Sequence, residues 1–423
     1  MKKKPAYIQM DKIEKNSYIW NTVAGMLNAF QSVIILIVLT RVLGLYDAGV
    51  FTIAYATAIL MLTVGKFGMR NFQVTDIREQ YSFGEYKTSR VITVLTMIVA
   101  SILYIVYALV FWEYTIGKAT VVIVMCLLKC IDAIEDIYHG LYQQKGRLDI
   151  AAKLLAYRMM ITIGVLCTLL VITHDQLISL SITTLISFLF FLLSIQKTKK
   201  QFEISKSKID RTKVFSLLVT NFSLFISSFL MLYIGNAPKY AIDSILNSEM
   251  QACYGFISMP IFVIGLLNQF IYQPILTRMA SQWNNCQLKL LVREIIRQCV
   301  YIACLTIAVI VIGYLMGIPI LSIMYGTDLS AYKKEFIILL FGGGLLALAG
   351  FLTTTLTIMR RQNKLIIGYV LVSLFALMLS PVLVRSLGMM GASILYLGLM
   401  MLLSGIFVFI LINELRKKGS IIS

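Results

Sequence analysis

Three groups of ionisable residues interrupt an otherwise apolar chain, and these are where chemistry would have to reside. Asp132, Asp136 and His139 share one helix face at i, i+4 and i+7, close to Lys129 and Glu135, within KCIDAIEDIYHGLYQQKGRLDIAAK at 129–153. Arg41, Arg70, Gln73 and Asp76 lie in LTRVLGLYDAGVFTIAYA (39–56) and FGMRNFQVTD (67–76). Asn236, Lys239 and Asp243 lie in YIGNAPKYAID at 233–243. Arg158 is a further cation inside an apolar run.

These residues do not form an enzyme constellation. The two histidines, His139 and His174, fall on opposite sides of the expected membrane, and neither has a metal-ligating set around it. No Gly-rich phosphate loop occurs, which argues against an intrinsic ATPase. The seven cysteines mostly sit in apolar runs, where a free thiol behaves as a small hydrophobe; Cys126 and Cys130 are at ordinary helix-packing spacing. The Asp132–His139 face reads as a solvated cytoplasmic helix end. The cations are open to two readings. An ionisable group in a membrane is costly, so it faces water or a partner. Lys129 either pairs with Asp132 or lines an aqueous path, and Lys239 either pairs with Asp243 or does the same. Arg158 is near enough to a span end to snorkel, Arg41 to sit at the interface, and Arg70 to be ordinary cytoplasmic charge.

The elements that carry these groups are membrane spans. The chain has 423 residues, of which 59% are hydrophobic and 14% charged, with a mean hydropathy of +0.85. Apolar runs of roughly 20 residues recur throughout, the length that crosses a hydrocarbon layer about 30 Å thick. They are too long for buried strands and too continuously apolar for an outer-membrane barrel. An all-α integral membrane protein is the remaining solution, because helices satisfy their own backbone in lipid. Spans are expected near 18–40, 49–66, 91–112, 119–138, 152–173, 177–196, 214–235, 251–275, 299–322, 336–358, 364–384 and 390–413.

That layout sorts the charge. Segments on one side hold 30 of the 38 Lys and Arg residues, those on the other hold six (Arg41, Lys118, Lys239, Lys333, Lys334, Arg385), and Lys129 and Arg158 fall within spans. The positive-inside bias therefore places both termini in the cytoplasm, and it accounts for the net charge of +18 without nucleic acid. The apolar run after the basic N-terminus is a full span, which argues for a retained first helix and against a signal peptide. The basic stretch 197–213 divides the chain into six-span lobes, 1–196 and 214–423. Asn21, Asn28 and Ser32 form a polar stripe on the first span, and Tyr254, Ser258, Gly265, Gln269 and Tyr272 form one on the eighth. Pro238, Pro260 and Pro274 cluster near the second stripe, where a cavity or a neighbouring helix can re-satisfy the backbone. Two such stripes in opposite halves suggest a shared aqueous cavity. The glycines at 342–344 suggest close helix approach.

At 39–56 with 67–76, at 129–153 and at 233–243, the sequence resembles the Wzx-type flippases of O-antigen and capsule repeat units, within the multidrug/oligosaccharidyl-lipid/polysaccharide exporter (MOP) superfamily. The resemblance implies two six-helix lobes around a central cavity and alternating access in a bacterial cytoplasmic membrane. It implies a polyprenyl-pyrophosphate-linked oligosaccharide as substrate, contact with membrane lipids, and a polysaccharide polymerase as a functional partner. It implies no cofactor other than a proton or sodium gradient. On this reading Arg41, Arg70, Lys129, Arg158 and Lys239 supply a cationic path, with Asn28, Gln73, Asn236 and Gln269 meeting sugar hydroxyls. Asp76, Asp132 and Asp243 are coupling or structural acids. Two alternatives compete. A multidrug/cation antiporter of the same superfamily should carry an acid early in one half, yet 18–40 and 214–235 contain none. A polysaccharide polymerase or ligase should carry a large external loop, yet the longest expected here is 236–250.

Overall fold

The computed structural model describes residues 6–76, 78–198, 202 and 209–422. Helices account for nearly all of it, and no strand occurs among the described residues. In chain order they are α1 (Ala6–Leu43), α2 (Leu45–Lys66), α3 (Met69–Thr75), α4 (Phe83–Phe111), α5 (Ile116–Gln144), α6 (Leu148–Thr173) and α7 (Gln176–Thr198). There follow α8 (Arg211–Ile245), α9 (Ser248–Tyr272), α10 (Leu276–Asn284), α11 (Leu288–Ile312), α12 (Ile318–Tyr325), α13 (Lys333–Ile358) and α14 (Gln362–Ile422).

Ten helices among the described residues are long and apolar enough to cross a membrane, which makes this a multi-pass membrane protein. Two further crossings complete the twelve expected from sequence. The first is α5, whose charged face lowers its hydropathy although it is 29 residues long. The second comes from α14, which turns at Gly388 (φ 58°, ψ −133°) into two helices. That conformation is open to glycine alone at little steric cost. Gly44 (φ 93°) similarly makes the one-residue turn between α1 and α2.

Local signals set the helix ends. Ser82 and Glu85 form a reciprocal capping box, with Glu85 N–H donating to Ser82 Oγ (3.3 Å) and Ser82 N–H to Glu85 Oε2 (2.7 Å), so α4 begins at Phe83. This is eight residues before the expected start at 91, and it draws Arg90 two turns into the helix. Ahead of α8, Asp210 Oδ1 accepts from the Thr212 hydroxyl (2.6 Å) and N–H (2.8 Å). These donors hold the Asp210 carboxyl below its ordinary value.

The chain divides into two compact units, Met1–Phe229 and Leu230–Ser423, with the division inside α8. Much of the basic stretch 197–213 lies outside the described residues. In the first unit α2 is the most buried span, and it packs with α4 and α5. In the second unit α13 is central, packing with α9, α11 and α14. Its glycines permit this. A Cβ on Gly342 would lie 2.5 Å from the Tyr396 ring, one on Gly343 would lie 3.1 Å from Ile264, and one on Gly344 would run into Thr306.

Candidate functional site

In the first unit, the polar face of α5 is buried against α2, α4, α6 and α7, not solvated at a cytoplasmic end. The physical reason is length. The helix continues to Gln144, past the expected end at 138, and neighbouring helices bring cations to each carboxylate. Arg158 on α6 is 1% exposed and bridges two of them, with Nη2 2.5 Å from Asp132 Oδ1 and 2.6 Å from Glu135 Oε2. Its Nε donates to Glu135 Oε2 at 2.7 Å, and Nη1 reaches Ser187 Oγ on α7 at 3.4 Å. It does not snorkel.

Lys129, also 1% exposed, donates to Asp132 Oδ2 (3.0 Å) and to Gln31 Oε1 on α1 (3.2 Å), with the Tyr55 ring of α2 5.2 Å away. Asp136 takes the other two cations. Arg90 Nη2 lies 2.9 Å from Asp136 Oδ2, and Arg70 Nη1 lies 3.6 Å from Oδ1. Arg90 also donates to the Gly65 carbonyl, and Arg70 to Gln143 Oε1 at 3.0 Å. Buried charge is tolerable only when paired and hydrogen-bonded, and this cluster meets that condition. Four cations are paired to three carboxylates, so the cluster carries one positive charge in excess. Arg70 is the most exposed of the four, at 28% of its side chain.

The other expected site residues are distributed. Gln73 is fully buried beside Gly140. With its amide turned to satisfy both groups, it donates to the Ile137 carbonyl (3.3 Å) and accepts from Leu141 N–H (3.2 Å). Asp76 ties the 76–81 turn by accepting from Gln80 N–H (2.9 Å), Tyr81 N–H (3.2 Å) and the Tyr86 hydroxyl (3.0 Å). Asn28 and Arg41 are exposed on α1 and take no part in the ion pairs given above, although Asn28 is one turn from Gln31.

In the second unit, α8 runs on to Ile245 and carries Lys239 inside the span instead of an outer loop. Pro238 removes one backbone bond without ending the helix. The connection to α9 shrinks to residues 246–247. Asn236 donates to the Leu232 carbonyl at 3.0 Å, and Asp243 is buried. Lys239 is half-buried and forms no pair with Asp243; it has no hydrogen-bond or ion-pair partner among the described residues. The side chain of Gln269 lies outside the described residues.

Arg90, Gln31 and Glu135 are members of the cluster that sequence reasoning did not single out as site residues. The Ser82–Glu85 spacing was the available signal for Arg90, because it marks where α4 starts. No group of His, Cys, Asp and Glu among the described residues could hold a metal ion.

The fold is similar to those of solved MATE transporters and of a lipid II flippase. Over 95% of this chain it matches the lipid II flippase MurJ in an inward closed conformation, with a TM-score of 0.70, 13% identity and 90% of that chain covered. A eukaryotic MATE transporter, AtDTX14, matches 98% of this chain and 100% of its own at TM-score 0.66 and 12% identity. An inward-facing multidrug resistance MATE-family transporter of the MOP superfamily matches at TM-score 0.65 and 13% identity, covering 95% of this chain and 99% of that one. No protein-family model matches the sequence. No curated protein matches it either.

Proposed function

We propose that this chain is a flippase that carries a polyprenyl-pyrophosphate-linked oligosaccharide from the cytoplasmic to the outer leaflet of a bacterial cytoplasmic membrane, by alternating access. The observation that carries this reading is Lys239, a membrane-span lysine with no hydrogen-bond or ion-pair partner among the described residues. Such a cation is costly unless an anion visits it, and a pyrophosphate is such an anion. Arg70, which faces Asp136 and Gln143 but keeps a partly exposed guanidinium, is a second cation for the same substrate. Asn236, one turn from Lys239, meets a sugar hydroxyl in this proposal. Lys129, Arg158 and Asp132 act in this proposal as structural ties between helices, not as direct ligands, while Asp136, shared with Arg90, and Gln143 hold Arg70.

The solved structures of similar fold include a lipid II flippase and a multidrug resistance MATE-family transporter, so fold alone leaves both substrate classes open. A cation antiporter needs an available carboxylate. In the α5 cluster each carboxylate already faces at least one Lys or Arg, so these three acids do not supply it. The reading is tested with the purified chain in liposomes containing a fluorescent polyprenyl-pyrophosphate sugar. Time-dependent movement of the sugar to the protein-specified leaflet supports it, and movement no faster than in empty liposomes contradicts it.

A further inference from the structure

The first unit holds a cavity of about 390 Å³ far from the α5 cluster along the helices. It lies among the α1–α2 turn, the start of α5 and the α6–α7 turn, the end that the charge bias assigns to the outer face. Its size falls in the range of about 300–1,000 Å³ typical of small-molecule sites.

The wall is polar, and part of it lacks partners. Gln176 lines the cavity and is 6% exposed, yet neither its amide oxygen nor its amide nitrogen has a hydrogen-bond partner among the described residues. An amide buried in this way calls for a ligand or water to complete it. Asp47 lines the same wall and has no hydrogen-bond or ion-pair partner among the described residues. Asp175 engages one oxygen with Ile178 N–H at 2.8 Å. Lys118 lies opposite in charge, with its ammonium 4.1 Å from the Tyr114 ring centroid.

We infer that this cavity is an outer-face subsite for one uncharged sugar ring of the translocated saccharide, an inference that rests on the flippase reading. Carboxylates accept from sugar hydroxyls, and the Gln176 amide both donates and accepts, which suits a group with many hydroxyls. An anion would meet Asp47 and Asp175. A bare metal ion has no ligand set here, and the cavity is far larger than one ion requires. Tyr46, largely exposed on the rim, adds an aromatic edge.

The test uses the full chain in nanodiscs and, as probe, the soluble oligosaccharide released by mild acid from the host's lipid-linked repeat units. Binding is read by saturation-transfer NMR for the wild type, Gln176→Leu and Asp47→Asn. Asp47→Asn is isosteric and only half-buried, so it guards against a Gln176→Leu chain that fails to fold. Saturable binding that weakens about fivefold or more in Asp47→Asn supports the subsite. Wild-type binding that both variants retain overturns the subsite and leaves the flippase reading standing. A wild type that binds no saccharide, but whose melting temperature rises with sodium over potassium only while Asp47 is present, overturns it in favour of a cation site. Failure of the flippase reading is seen separately, as unchanged lipid-linked saccharide when the protein is depleted from its host.

Discussion

Lys129 and Asp132 form a 3.0 Å ion pair inside a membrane span, with Lys129 1% exposed and Asp132 8%. From α6, Arg158 takes the second oxygen of Asp132 and adds Glu135, one helical turn further along α5. The pair is therefore part of a chain of charges that clamps α6 and α7 to α5. A clamp of this kind is weak as a source of net stability but expensive to break on one side.

Arg158→Ala leaves Glu135 without its guanidinium partner and Asp132 with Lys129 alone. The expected loss is about 3–5 kcal/mol, the usual cost of stranding a buried charge. It should appear as lower abundance and a lower melting temperature of the detergent-solubilised protein. Arg158→Lys should recover part of the loss. An unchanged melting temperature in Arg158→Ala would sink the clamp.

Lys239 differs because no partner is stranded by its removal. Lys239→Met should keep abundance and melting temperature near wild type while lowering surface polysaccharide about tenfold or more, the consequence of losing on the order of 1.4 kcal/mol at a charged contact. Lys239→Arg should retain more export than Lys239→Met. Equal export in all three proteins would remove Lys239 from the substrate path.

Gly344 on α13 touches Thr306 on α11 so closely that any side chain must displace it. Gly344→Ala should cost about 1–3 kcal/mol through overpacking, read as a lowered melting temperature. Combining it with Thr306→Ser removes one of the obstructing atoms and should restore part of the loss. A double variant no better than the single one would show that the contact is not the cause.

Ser82→Ala removes the hydroxyl that accepts from Glu85 N–H at the start of α4. The expected cost is about 1 kcal/mol, and Ser82→Asp should be nearly neutral. Amide hydrogen exchange confined to the first turn of α4 would report the change, and identical exchange in Ser82→Ala and wild type would contradict the capping assignment.

The span pattern was legible because apolar length and charge bias depend on local sequence alone. Twelve crossings follow from both readings, although α5 is disguised by its own charges and α14 conceals a turn at Gly388. Two placements failed for physical reasons. Lys239 was expected outside because the apolar run ends near 235, yet α8 continues through Pro238 to Ile245, since a proline costs a helix one bond and does not oblige it to end. Arg90 was counted as loop charge because the start of α4 hides in a polar segment. The partners of Lys129 were partly legible, since Asp132 lies one turn away, but Arg158 reaches Asp132 and Glu135 from another helix, and no spacing along the chain encodes that.

The proposed movement of lipid-linked saccharide across the membrane can be checked by depleting the protein from its host and measuring the leaflet distribution of polyprenyl-linked repeat units. A flippase should leave complete units accumulating on the cytoplasmic face while surface polysaccharide falls. If units reach the outer face and fail to polymerise, the protein acts after translocation and is not the flippase. If lipid-linked saccharides are unchanged in amount and sidedness, the substrate assignment is wrong and a drug or cation export assay takes its place.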